Sequence, residues 1–356
     1  MKPEELKIGY WPYSNDFKSP GDRRRFVFYA KEKKISFSVA DFNYNYDIIY
    51  LTYGCNISEW LKYKKRNPNT KVIFELIDSY LFESTTLISV LRGFNRFITG
   101  KESSLFLNYK NALIKLVCIS DAVVCSTIDQ KKYLSRFNKN IHISLDYFSE
   151  DITTKKTEYE ISGKLKIVWE GQAYTVKNLF LINQFFQKYK NEIELHIITD
   201  YSVKYPFKIF DKTIYVLLKK IACPWVFHNW RKDTFSEIIA SCDIAIIPIV
   251  NREGMMWYKP ENKLLLFWEI GIPVIATATP AYKRVMETAV INGLCHSNTE
   301  WVSKIINYRN MNSLERKNIA NTAELFLNKE HSKGKNLERW DEIFNSVFQP
   351  AAKKYK

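Results

Sequence analysis

The stretch from Cys242 to Ile275, CDIAIIPIVNREGMMWYKPENKLLLFWEIGIPVI, restricts the fold of this chain more than any other. An apolar run, Ile244 to Pro248, passes through a polar loop into residues with helical spacing, and a second apolar run, Pro273 to Ala276, follows Gly271. Strand, helix, strand in that order is the unit of a parallel sheet. The helix is expected to open at Pro260, a residue suited to the first helical position. Lys259, Asn262 and Lys263 surround that start, in the kind of strand-to-helix loop where open α/β sheets bind phosphorylated ligands. An ordinary strand–helix–strand unit with a solvated basic loop fits the same residues.

The alternation runs through the whole chain. Strands are expected at Lys7 to Tyr10, Ile35 to Val39, Asp47 to Thr52, Val72 to Ile77, Ala122 to Cys125 and His142 to Leu145. Helical patterns lie between them at Arg23 to Glu32, Ser58 to Lys65, Leu105 to Leu116 and Asp129 to Phe137. Residues 149–164, SEDITTKKTEYEISGK, are polar without apolar periodicity and read as a linker. The pattern restarts with strands at Leu165 to Trp169, Glu194 to Ile198, Ile214 to Leu217, Asp243 to Pro248 and Val274 to Ala276. Helices are expected from Lys177, Thr234, Pro260, Asn298 and Ser313. At 356 residues two cores are expected. The division is an amino-terminal Rossmann-like domain over 1–150, a second over 165–330, and a helical tail over 331–356.

Composition narrows the function classes. With 46% hydrophobic and 15% aromatic residues the chain can bury a sizeable core. No run approaches the roughly 18 apolar residues that span a bilayer. The amino terminus lacks a signal-peptide hydrophobic region, so a cytoplasmic location is expected. The cysteines at 55, 118, 125, 223, 242 and 295 show no CxxC spacing and read as mostly buried free thiols. No histidine pattern supports a metal site. The net charge of +15 suits a polyanion, an anionic membrane or a phosphorylated substrate. It is spread along the chain, and no helix-turn-helix, zinc-finger or RNP pattern accompanies it, so no specific nucleic acid is expected.

A second motif follows the first strand of the second half: Val168-Trp-Glu-Gly171-Gln172, then Lys177-Asn178. Gly171 permits close backbone approach, and Lys177 is expected where the next helix begins, so that lysine and helix dipole favour a phosphate together. Neither G-x-G-x-x-G nor a Walker-type loop is present, which argues against dinucleotide binding and ATP hydrolysis.

Gly171…Lys177-Asn178, Cys242-Asp-Ile-Ala-Ile-Ile-Pro248 and Asn262-Lys-Leu…Gly271-Ile-Pro-Val274 occur in the order seen in GT-B glycosyltransferases. Over residues 165–290 the chain resembles their family-4 group of nucleotide-sugar enzymes. The resemblance implies two Rossmann-like, doubly wound parallel-sheet domains with a cleft between them, and a retaining hexosyltransferase. In that group an arginine after the glycine and a lysine about six positions on grip the donor diphosphate. Here those positions are Gln172 and Lys177. The group's E-x7-E motif places its second glutamate, which holds the donor ribose, five residues before the glycine of G-x-P-V. That position is Leu266 here, and the first glutamate's position is Tyr258. A literal E-x7-E at Glu261 and Glu269 is out of register. Glu261 reads instead as a first-turn acid favourable to the helix dipole, and Glu269 as a surface residue.

A diphosphate leaving group needs stabilisation, by a metal ion on a D-x-D motif or by cations and helix amino termini. D-x-D is absent, so a metal-free site is expected, built from Gly171, Gln172, Lys177, Lys259, Glu261, Asn262 and Lys263. In the first domain, Phe17-Lys-Ser-Pro-Gly21-Asp-Arg23-Arg24-Arg follows a strand and opens a helix. Gly21, Arg23 and Arg24 are expected to face an acceptor or the donor phosphate. Asp78 ends one strand, where a carboxylate serves as general base in an inverting reaction or simply caps a helix. Tyr53 ends another, where an aromatic ring stacks on a sugar. Leu91 to Ile98, with Lys101 beyond, reads as an amphipathic helix packed on the sheet or lying on an anionic membrane.

The function expected is transfer of a sugar from a nucleotide-sugar to a glycan or lipid-linked acceptor in bacterial surface polysaccharide or lipopolysaccharide synthesis. The setting would be the cytoplasm or the inner face of the plasma membrane. A nucleotide-sugar epimerase would need further acid/base residues. The alternative from another class is a non-catalytic or degenerate GT-B protein that binds a polyanion or scaffolds a complex.

Overall fold

The computed structural model describes residues 6–82, 86–148, 150–203, 212–250 and 254–348. Ser149 of the expected linker, residues 251–253 of the opening motif and 349–356 of the expected tail lie outside them. The chain forms two compact units. One comprises Met1–Tyr147, Glu253–Pro260 and Ser332–Lys356; the other comprises Phe148–Arg252 and Glu261–His331.

The first unit holds strands β1 (Ile8–Trp11), β2 (Ser38–Val39), β3 (Ile48–Leu51), β4 (Lys71–Leu76), β5 (Ala122–Cys125) and β6 (Ile141–Ile143). They pair in parallel in the order β2-β1-β3-β4-β5-β6. Strands β3 and β5 are wholly apolar and buried along their whole length, as a sheet covered on both faces requires. Trp60, Leu113, Leu116 and Val117 pack on one face. On the other, Phe26 and Tyr29 meet Trp340, Ile343 and Phe344 of the helix Lys333–Ser346. The Tyr29 hydroxyl donates to Asp341 (2.9 Å) and Lys33 pairs with the same carboxylate (2.6 Å). The last helix therefore belongs to the core of the first unit, although it follows the second in sequence.

The second unit holds β7 (Leu165–Glu170), β8 (Ile193–Thr199), a two-stranded antiparallel ribbon of β9 (Ser202–Val203) and β10 (Lys212–Thr213), β11 (Trp225–Asn229), β12 (Ile244–Ile247), β13 (Val274–Thr277) and β14 (Leu294–Cys295). Its main sheet is parallel, in the order β11-β8-β7-β12-β13-β14. Strands 3-2-1-4-5-6 of a doubly wound sheet reverse direction between the first and fourth. Here that switch point lies between β7 and β12. The polar stretch after residue 150 carries no regular structure through Ser162 but is anchored, not loose. Lys156 N–H donates to the Ile270 carbonyl (2.7 Å), the Tyr159 hydroxyl to Gly271 (2.8 Å), and buried Arg316 to the Tyr159 carbonyl.

Four local expectations are corrected. Ile214 to Leu217 is no strand: Tyr215–Leu218 is a helical turn, because Ile214 and Leu218, four apart, both face the core while Val216 is exposed. The strand missed is β11, a half-exposed edge whose apolar residues do not form a buried run. The helix expected from Leu105 begins at Tyr109, where the Asn108 side chain accepts from Asn111 N–H. The helix expected from Pro260 is Asn262–Ile270, so Pro260 lies outside it and Glu261 is the cap residue, not a first-turn acid.

Candidate functional site

Each sheet has one strand-end switch point, and the expected site residues divide between them. In the second unit β7 ends at Glu170 and turns at Gly171. A Cβ on Gly171 would lie 2.8 Å from Lys263 Nζ and 2.8 Å from the Trp169 ring. Glycine is therefore what lets the lysine and the indole close over the strand end. Lys263, in the first turn of Asn262–Ile270, donates to the Glu170 carbonyl, pairs with the Glu170 carboxylate at 3.3 Å, and sits 5.4 Å from the Trp169 ring centroid. Its side chain remains 27% exposed. Tyr282 belongs to the same neighbourhood: burial, then the Glu261 and Glu170 carboxylates, push its phenol up. Tyr282 stands in the first turn of Pro280–Thr288, whose cap Thr279 accepts from Tyr282 N–H (3.3 Å).

Lys177 does not begin an α-helix. Residues Ala173–Ile182 form a 3₁₀ segment, the α-helix starts only at Asn183, and Lys177 lies mid-segment. The dipole argument for Lys177 therefore fails. What remains is an exposed ammonium that makes no ion pair or hydrogen bond among the described residues. Gln172 is the exposed cap of that segment, and its carbonyl accepts from Thr175 N–H and Oγ1 (2.8 and 2.7 Å). Asn262 is half-buried at the first position of its helix.

In the first unit the corresponding loop, after β1, is closed by its own side chains. Asp22, fully buried, accepts from the Tyr10 hydroxyl (2.5 Å) and from the N–H groups of Tyr13 (2.8 Å) and Ser14 (3.0 Å). The Tyr13 ring covers Gly21, where a Cβ would meet it at 2.6 Å. The close approach that Gly21 permits is thus used by Tyr13. The basic run does not open a helix: Pro20–Arg23 is a single turn with Arg23 and Arg24 at its end, and a new helix starts at Phe26. Arg23 is half-buried, and Arg24 lies 3.8 Å from Asp146. Arg25 between the two helices is fully buried, donating to Glu75 (2.5 Å) and Asp146 (3.2 Å). Burial opposes its charge, but the two carboxylates more than offset this and hold it protonated.

The ends of β3 and β4 form a second cluster in the first unit. Tyr53 stacks on Tyr80 at 3.9 Å, and its hydroxyl accepts from Arg92 (2.8 Å). One face and the polar tip of Tyr53 are already engaged, so a free platform for a sugar is not what the fold presents. Asp78 accepts from the Tyr80 hydroxyl (3.1 Å) and faces Lys259 Nζ at 4.0 Å. Lys259 therefore stands beside Asp78, and of the expected trio only Asn262 and Lys263 share the second unit's site. Tyr258, one residue earlier, stacks on Phe82 and accepts at its carbonyl from Ser79 (2.5 Å).

No protein-family model and no curated protein matches the sequence. Solved structures match its fold. Anabaena HepE, crystallised with UDP and glucose, aligns with a TM-score of 0.62 at 12% identity, covering 96% of this chain and 100% of that one. A glycosyltransferase from Rickettsia africae gives 0.61 at 12% identity, with 97% and 98% covered. TarM gives 0.57 at 12% identity over 84% of this chain and 54% of its own, so this chain spans about half the length of TarM. This chain has the GT-B fold.

On the GT-B frame, the position at which the resembled group carries its ribose-binding glutamate is Leu266, 5% exposed among the apolar residues of its helix. Glu269 points elsewhere and pairs with Lys155 at 3.1 Å. Sequence reading missed Glu170 and Tyr282. Glu170 was legible as the carboxylate beside Gly171, and Tyr282 as a first-turn residue after the cap in Thr279-Pro-Ala-Tyr.

Proposed function

We propose that this chain is a glycosyltransferase that takes its sugar from a nucleotide-sugar, with the donor diphosphate bound at the β7–β12 switch point. One observation carries the reading: Gly171 leaves a strand end open to Lys263 at a helix amino terminus, with exposed Gln172 and Lys177 alongside. Cations and amide groups in that arrangement stabilise a departing diphosphate without a metal. In the proposed role, Gly171 and Asn262 contribute backbone contacts, and Gln172, Lys177 and Lys263 hold the phosphates. Glu261 stands beside Tyr282 near the ribose, in place of the carboxylate absent at Leu266. HepE crystallised with UDP-glucose, and TarM with UDP, supports a UDP-sugar as the donor. A trehalose-6-phosphate synthase studied for transfer with retention, aligned at a TM-score of 0.55, supports a retaining reaction.

The acceptor, a bacterial surface glycan or its lipid-linked precursor, is assigned to the first unit, with Asp78, Lys259 and Arg24 as its polar contacts. The test is a thermal-shift series with UDP, GDP, CMP, dTDP and their sugars, with and without EDTA. Ligand at about 100 times its Kd stabilises by about 2.7 kcal/mol, a shift of a few degrees. A selective rise that survives EDTA and is lost in Lys177→Ala and Lys263→Ala is expected. Silence towards every nucleotide would move the assignment to a degenerate, non-catalytic GT-B protein, the reading that buried Leu266 favours.

A further inference from the structure

At the end of the second sheet opposite Gly171 and Lys263, the first residues of β12 and β13 floor a cavity of about 380 Å³. It lies wholly within the second unit, between those strand starts and the helices Asn298–Asn310 and Ser313–Glu330. Small-molecule sites begin at about 300 Å³. Ile244, Val274, Ile291 and Ile319 make its walls aliphatic. The Tyr308 ring joins them, but its hydroxyl is spent on the Asp243 carbonyl (2.7 Å). The turn that enters the cavity is held in an unfavourable shape. Val290 follows the helix Pro280–Thr288 with a φ of 57°, in the left-handed region where glycine ordinarily ends a helix. A β-branched residue is strained there. Val290 N–H donates to the Glu287 carbonyl (3.2 Å) and Ile291 N–H to that of Met286 (2.9 Å), which fixes the turn. The result is an apolar side chain, 87% exposed, at the rim of the cavity, directly before buried Ile291 in its wall. Strain of this kind gathers at ligand clamps and switch regions.

Lys304 gives the cavity its charge. Its ammonium donates to the neutral Asn292 side chain (2.6 Å) and forms no ion pair among the described residues. No carboxylate of the described residues lines the cavity. The acids nearest in sequence to the lining are engaged elsewhere. Glu287 pairs with Lys283 (3.8 Å), Glu300 accepts from His296 N–H (3.0 Å), and Glu315 accepts from Asn312 N–H (2.7 Å). Asp243 accepts from Lys166 N–H (2.7 Å), and Glu324 lines a separate hollow with Trp268. We propose that this cavity binds a short aliphatic carboxylate. Its chain lies on the Ile244, Val274, Ile291 and Ile319 walls, and its anionic head meets Lys304 and the Asn307 amide. An apolar segment of another protein or a second copy would also enter an aliphatic hollow, but neither calls for an ammonium inside it. The site stands at the sheet end opposite the proposed donor site and uses none of its residues.

Calorimetry of the full chain with sodium octanoate tests it, with octanol and octylamine as probes of the same chain length and different charge. Octanoate is expected to bind at least about tenfold more tightly than octylamine. Across hexanoate, heptanoate and octanoate, affinity should rise about three- to fourfold with each methylene buried. Lys304→Gln should weaken octanoate about tenfold and leave octanol unchanged. Asn307→Trp, at an exposed position on the rim, should block every probe and keep the wild-type melting temperature. Lys263→Ala, which removes the proposed donor lysine, should bind octanoate as the wild type does, so failure of the transferase reading leaves this result intact. Equal binding of octylamine, no gain with chain length, or full octanoate affinity in Lys304→Gln overturns the proposal. Silence towards octanoate overturns it too, and a dimer in light scattering made monomeric by Asn307→Trp would then give the cavity to a second copy.

Discussion

The two switch points are alike in topology and opposite in electrostatics. In the first unit, the charges after β1 are spent inside the protein: Asp22 on Tyr10, Tyr13 and Ser14, and Arg25 on Glu75 and Asp146. In the second, Lys263 stays 27% exposed although paired with Glu170, Lys177 is exposed, and the backbone at Gly171 lies against the Lys263 ammonium. A buried, mutually satisfied network holds a loop in one shape, whereas an incompletely paired cation at a helix start has capacity left for an anion. What distinguishes the two strand ends is how far the fold has already consumed their polar groups.

The largest effect expected follows from breaking the buried pair. Glu75→Ala leaves Arg25 charged and buried and should cost about 3–5 kcal/mol in chemical denaturation, whereas Arg25→Met/Glu75→Leu should recover most of it. If Glu75→Ala costs no more than an exposed substitution, the first switch point is not the closed network described.

The two glycines sharpen the contrast. Gly21→Ala drives a methyl into the Tyr13 ring and should destabilise by about 1–3 kcal/mol, seen as a lower denaturation midpoint. Gly171→Ala meets the end of a flexible lysine as well as the Trp169 ring. Its larger effect should therefore be on nucleotide affinity, weakened about tenfold or more in calorimetry with UDP. Equal losses of stability in both variants would erase the distinction.

A smaller effect concerns Glu170. Glu170→Gln removes the competitor for Lys263 and should raise UDP affinity a few-fold at low salt, an advantage that shrinks as salt is added. Unchanged or weaker affinity would identify Glu170 as a required support of the lysine.

The smallest effect is a pH dependence. His196 and His228 approach to 3.0 Å, and burial, then the His196 neighbour, push His228 below its usual 6.5. Burial, then Lys131, lowers His142 in the first unit in the same direction. A depressed folded value favours the neutral ring, so this contribution is present above about pH 6.5 and is lost as pH falls towards the folded values. Melting temperature should drop gently over that range, and His228→Gln should flatten its share.

Much of the architecture was legible. Runs such as Ala122–Cys125 and Ile244–Ile247 are apolar at every position, which only a strand covered on both faces uses economically, and the helices between them forced a parallel sheet. The failures share a cause. Tyr215–Leu218 is too short for periodicity to separate helix from strand, and β11 is an edge whose burial depends on neighbours. The meeting of Gly171 and Lys263 at the end of β7 was legible because glycine and a first-turn lysine leave marks in sequence. That Lys259 faces Asp78 was not legible, because the two are brought together only by the fold.

Sequence by itself determined two doubly wound sheets, a glycine at the second switch point and cations near it, since period, burial and backbone freedom are properties of neighbouring residues. Tertiary structure alone decided which cations stay available. Arg25 and Lys177 are equally basic in sequence, but one is locked between Glu75 and Asp146 and the other is exposed. Whether a charge is spent or free is set by groups brought from 50 and 121 residues away, and electrostatic pairing over that separation exists only once the chain has folded.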